Sequence, residues 1–166
     1  MTDRSAVFEP AYNAGMIRTD VYDHFLLGQR GKAAYRSFFE ILLKADPGSG
    51  AVLWHCTDGK DRTGCAAMLL LSALGADRET VTEDYLLTNE YNRDVLDAVR
   101  RRISALPMPQ EKQDAFLFLA GGVSENYIRH AFDTLEARYG SVEGYLSQEL
   151  GIGAEERAEL QNKYLE

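Results

Sequence analysis

Apolar residues along the chain recur mostly at helical spacing. From Lys32 to Ala45 they fall at Tyr35, Phe38, Phe39, Leu42 and Leu43, one face of a 3.6-residue period. That helix stops before Asp46-Pro47-Gly48-Ser49-Gly50, a strong turn signal. Ala51-Val52-Leu53-Trp54 follows as a short, wholly apolar run and reads as a buried strand. His55 to Thr63 is a polar loop, and Gly64 to Leu74 is apolar on nearly every face. The latter pattern predicts a core helix closed by Gly75.

Downstream the pattern stays helical. Asp77 is placed to cap a helix carrying Val81, Tyr85 and Leu86. Further helices are expected over Arg93–Leu106, ending at Pro107 and Pro109, and over Glu111–Ala120, broken by Gly121-Gly122. Ser124 opens another, with Tyr127, Ile128, Ala131, Phe132 and Leu135 inward and Gly140 as its stop. A short helix capped by Ser141 ends near Gly151, and a last one runs from Ala154 to Tyr164. Tyr85, Tyr91 and Tyr127 read as packing residues. Met1 to Gln29 is irregular, with mixed polarity. No repeat or linker divides the chain, so residues 1–166 read as one domain, or as the C-terminal part of a longer one.

Composition narrows the classes. Hydrophobic residues make up 45% and charged residues 27%, values that a folded core can use and that argue against wholesale disorder. The 18 basic and 26 acidic residues leave a net charge of −8, which argues against general affinity for nucleic acid or anionic membrane. An anionic ligand must be drawn by a local site. The apolar run over 66–74 falls far short of the ~20 residues that cross a bilayer, and the first residues lack a signal-peptide core. Two cysteines, Cys56 and Cys65, make neither a disulfide framework nor a Cys-x-x-Cys metal pair. A reducing, cytoplasmic setting fits, with export by a route lacking a classical signal left open.

The chemistry concentrates in His55-Cys56-Thr57-Asp58-Gly59-Lys60-Asp61-Arg62-Thr63-Gly64. Between a strand and a helix N-terminus, a tight loop can converge its amides on an anion. Gly59 lets the loop turn and lets backbone approach a ligand. Arg62 offers a planar fork for two phosphate oxygens. Cys56 faces the same amides, which favour its thiolate and place it for in-line attack on phosphorus.

These residues resemble the signature of cysteine-dependent protein tyrosine phosphatases, H-C-x-x-G-x-x-R-[ST]-G. The tighter pattern, with Thr57, Lys60 and Asp61, is similar to a bacterial branch of broad specificity. Asp84 to Asn89 and Tyr139 to Leu146 look like that branch's downstream helices. The resemblance implies an α/β core, a parallel sheet with a phosphate-binding loop, under a large C-terminal helical layer. It implies hydrolysis of phosphate monoesters, foremost protein phosphotyrosine, through a cysteinyl-phosphate and without metal or other cofactor. Cys56 would be the nucleophile and Arg62 the phosphate grip, with Thr63 donating its hydroxyl to the thiolate. Thr57, Asp58, Gly59, Lys60 and Gly64 would line the substrate phosphate, and His55 would orient the loop. The general acid would be Asp61, with Asp23, Asp20 or Asp58 as alternatives. Lys60 adds a cation that phosphoinositide phosphatases also carry, so a lipid headgroup is the runner-up substrate. A catalytically weak phosphate-binding fragment is a third reading. Rhodanese-like sulfur transfer is disfavoured by Gly59, Arg62, Thr63 and Gly64. Cys65 could trap Cys56 as a disulfide on oxidation, although a small core residue is the preferred reading.

The chain departs from the family in one respect. Family members carry an N-terminal half with further strands and an Arg-Asp-Leu-Gly-Gly-like segment absent here. A lone strand over Ala51–Trp54 needs partners for its backbone. These would come from Met1–Gln29, from a second copy or other polypeptide, or from an upstream half.

Overall fold

The computed structural model describes residues 10, 12, 13, 18 and 20–165. Its elements are α1 (Val21–Leu27), α2 (Gln29–Lys44), α3 (Asp61–Leu74), α4 (Arg78–Tyr91), α5 (Arg93–Ile103), α6 (Gln110–Leu119), α7 (Glu125–Tyr139) and α8 (Val142–Tyr145). A five-residue π-turn (Leu146–Leu150) and α9 (Ala154–Tyr164) complete it.

The helix most apolar in sequence lies at the centre. In α3, Cys65, Leu69 and Ala73 are fully buried, with Met68 nearly so. It packs against α1, α4, α8 and α9. Local signals set the ends of these helices. Gly75 takes a left-handed φ of 97°, and its amide bonds to Leu71 O and Ser72 O, a conformation that costs glycine little. Asp77 accepts a hydrogen bond from the Thr80 amide at 2.7 Å, satisfying a donor that the first turn of α4 would otherwise leave unpaired. Ser141 does the same for Gly144 at 3.0 Å.

Three expectations are corrected. The first is the sheet: among the described residues there is no strand, so the parallel sheet of the α/β expectation is not met and the described fold is helical. Ala51–Trp54 belongs to neither helix nor strand, and Leu53 is 88% exposed. An apolar run predicts burial only where a partner covers both faces, and here one side alone packs. Trp54 meets Phe38 edge-on, with ring centroids 5.2 Å apart.

Second, Met1–Gln29 is not irregular throughout. Val21–Leu27 is helical, with Tyr22 and Leu26 fully buried. Met1–Glu9 and most of the stretch up to Thr19 lie outside the described residues. Third, Tyr91 is 85% exposed, unlike Tyr85 and Tyr127, which are buried. It ends α4, where no described element covers it. Shifts in helix ends are smaller. α3 begins at Asp61, before Gly64, and α5 ends at Ile103, before Leu106.

Candidate active site

The polypeptide enters the loop without regular structure, bends over residues 57–60 and becomes α3 at Asp61. Gly59 makes the bend with φ +69°, a region that costs most residues ~1–2 kcal/mol. Three anchors hold the loop from behind. Trp54 Nε1 donates to Thr63 O at 3.4 Å, Tyr35 Oη donates to Arg62 O at 3.4 Å, and the Gly64 amide closes the first turn of α3 on Lys60 O at 2.9 Å. At the loop's mouth, Arg62 Nη2 donates to Thr57 Oγ1 at 3.1 Å, and its guanidinium sits 6.0 Å from the centre of the Phe25 ring.

Cys56 lies half-buried where the amides converge. Burial pushes its thiol up. Hydrogen bonds from the Thr63 hydroxyl and from the amides of Thr63, Asp58 and Gly59 outweigh that and bring it down to about 7. Thr63 Oγ1 is itself buried and has no partner of ordinary hydrogen-bond geometry. A hydroxyl rotor can turn toward a neighbouring thiolate, so the electrostatic pairing with Cys56 is the better description. Cys65 contrasts with it. It is fully buried in α3, and burial pushes its thiol well above the usual range, against a hydrogen bond with Tyr35.

The Thr63 hydroxyl and the amides of Asp58, Gly59 and Thr63 surround the Cys56 sulfur, and Arg62 is joined to Thr57. Lys60 does something else. It is 3% exposed, and its ammonium donates to Phe118 O at 2.7 Å and Gly122 O at 3.1 Å. It also lies over the Phe118 ring, 3.5 Å from the centroid. The expectation that Lys60 presents a cation to substrate is therefore corrected: its charge is used inside the protein. Gly64 lies within α3, and a Cβ there would meet the Tyr85 ring at 3.1 Å. Its place in the motif thus has a packing reason.

The candidate acids separate. Asp61 Oδ1 accepts from Tyr22 Oη at 2.9 Å and lies 3.5 Å from Lys60 Nζ. Asp20 is spent on Arg18, which donates to both of its oxygens at 3.0 and 2.7 Å. Asp23 Oδ1 pairs with His130 Nε2 at 3.1 Å. Among the described contacts neither Asp20 nor Asp23 touches the loop. His55 is exposed, and its Nδ1 meets Cys56 O at 3.2 Å. Tyr22 was not legible as a site residue. The one available signal was the i, i+3, i+4 spacing of Tyr22, Phe25 and Leu26.

A half-buried thiol under converging amides, six positions before an arginine in the first turn of α3, is an arrangement that favours a thiolate beside a cation. The chain belongs to the tyrosine phosphatase family, whose model matches residues 7–166. It is 32% identical over 145 residues to a protein of Cupriavidus necator that carries a provisional tyrosine-protein phosphatase name, covering 86% of this chain and 50% of that one. It is 34% identical over 141 residues to the triple specificity protein phosphatase PtpB of Mycobacterium tuberculosis, covering 77% of this chain and 48% of the relative. A 42-residue stretch is 48% identical to a tyrosine-protein phosphatase of Nostoc commune, covering 25% of this chain and 14% of that protein. The chain thus spans about half the length of the first two relatives.

Proposed function

We propose that this chain hydrolyses phosphate monoesters, with protein phosphotyrosine as the substrate class. The observation that carries this reading is the Cys56 thiol, brought down to about 7 by the Thr63 hydroxyl and three loop amides against the opposing effect of burial. Cys56 Sγ attacks phosphorus, the P–O bond to the leaving group breaks, and Asp61 gives that oxygen a proton. Water, deprotonated by Asp61, then attacks phosphorus. The P–S bond breaks, inorganic phosphate departs and the thiolate is restored. Arg62 exchanges its contact with Thr57 for two oxygens of the transferring group. Thr63 steadies the thiolate as it leaves. The burial of Lys60 removes the particular reason for a phosphoinositide headgroup, so phosphotyrosine stands first.

The site works from a chain that no described helix could anchor across a membrane, and a reducing cytoplasm would keep both thiols reduced. We also assign a strand-supplying partner to the segment at Ala51–Trp54: a second copy, another polypeptide or an upstream half.

The test is turnover of para-nitrophenyl phosphate with and without chelator. The wild-type chain releases phosphate in both. Cys56→Ser abolishes release and still binds vanadate. Full activity in Cys56→Ser would sink the mechanism.

A further inference from the structure

We propose that Tyr22 and Tyr85 form a buried hydroxyl relay that positions Asp61, an inference that rests on Asp61 as the proton donor proposed above. Tyr22 Oη lies 2.9 Å from Asp61 Oδ1 and 2.7 Å from Tyr85 Oη. Tyr22 has a single proton, and it is directed at Asp61 Oδ1. Tyr22 therefore donates to Asp61, and Tyr85 donates to Tyr22. The order runs from Tyr85 on α4, through Tyr22 on α1, to the first residue of α3.

Both rings are buried, Tyr22 at 0% and Tyr85 at 4% exposure. They meet edge to face with centroids 6.3 Å apart, while the Asp61 side chain keeps 21% exposure. A buried hydroxyl without a partner is costly, and phenylalanine would fill the same space without that cost. The pair of hydroxyls instead ends on the one carboxylate that belongs to the start of α3. Lys60 Nζ, 3.5 Å away, faces the same Oδ1. Tyr127 from α7 and Cys65 from α3 also feel the Asp61 charge. With Oδ1 held by Tyr22 and faced by Lys60, Oδ2 is the oxygen assigned to carry the proton. Gly64 supports the arrangement, because a Cβ there would reach 3.1 Å from Tyr85 Cδ2.

The test uses four proteins: wild type, Tyr22→Phe, Asp61→Asn and the double variant. Each is assayed on phenyl phosphate, whose leaving group needs a proton, and on para-nitrophenyl phosphate, whose leaving group needs little. Tyr22→Phe is expected to lower kcat/KM, which reports the step that expels the leaving group, roughly tenfold on phenyl phosphate, as loss of a hydrogen bond to a charged group would, with a much smaller loss on the nitrophenyl ester. In the Asp61→Asn background, Tyr22→Phe should add nothing further, since residues acting as one unit are not additive. Tyr85→Phe should repeat the pattern more weakly, and it serves as the second variant should Tyr22→Phe not melt cooperatively. Equal losses on both esters, or additive losses in the double variant, would overturn the relay and leave the phosphatase reading intact. No turnover by the wild type would overturn the phosphatase reading and the relay with it.

Discussion

At the residue scale, Cys56 and Thr63 make a pair whose titration can be read directly. The native thiol is held near 7, below its ordinary value, so the reactive thiolate grows in as pH rises through that point. Alkylation of Cys56 should therefore reach half its plateau rate near pH 7. Thr63→Ala removes a donor that favours the thiolate, so the midpoint should move upward. An unmoved midpoint would mean that the amides alone set it. The same shift makes folding depend on pH. The folded-state value is depressed, so its stabilisation is complete above the unfolded thiol's pKa and is lost as pH falls through about 7. Arg62 supplies shape as well as charge. Its side chain is exposed and already directed to Thr57. Arg62→Lys should lose turnover nearly as fully as Arg62→Ala, because lysine lacks the bidentate fork. Wild-type turnover in Arg62→Lys would show that the fork is not used.

At the element scale, α3 carries both the core and the loop's end. Leu69 is fully buried within it, and Leu69→Ala should destabilise the fold by about 2–5 kcal/mol in urea titration. A loss under about 1 kcal/mol would show that the surrounding helices close the gap. The sequence made α3 legible because helical spacing, a closing glycine and an unbroken apolar surface agree. The loop was legible because its chemistry needs fixed residue types at fixed spacing. What was not legible depends on contacts far apart in the chain. Tyr22 reaches Asp61 across 39 positions and Tyr85 across 63. Lys60 reaches Phe118 across 58. No local pattern says that a lysine within an anion loop will turn inward to two carbonyls. Ala51–Trp54 failed for a related reason. Its apolar character was read correctly, but pairing is a property of what lies beside it, and Leu53 lies open.

At the scale of the whole molecule, that open segment and the net charge of −8 act against each other. The backbone of Ala51–Trp54, which pairs with no strand among the described residues, and the exposed Leu53 favour strand pairing between copies, while like charge holds the copies apart. Added salt screens the repulsion within ~10 Å at about 0.1 M. Light scattering on the purified chain should therefore show association that grows with salt, and Leu53→Lys should reduce it. A monomer at every salt concentration would dismiss the pairing. Cys65 offers a different measurement. Its sulfur is sealed within α3, so a thiol reagent gains access when that helix leaves the core. The rate at which Cys65 is labelled in denaturant, divided by its rate in the native protein, is a protection factor for the opening of the molecule's centre. With Cys56 replaced by serine, the remaining thiol would report core opening under native conditions, with no denaturant extrapolation.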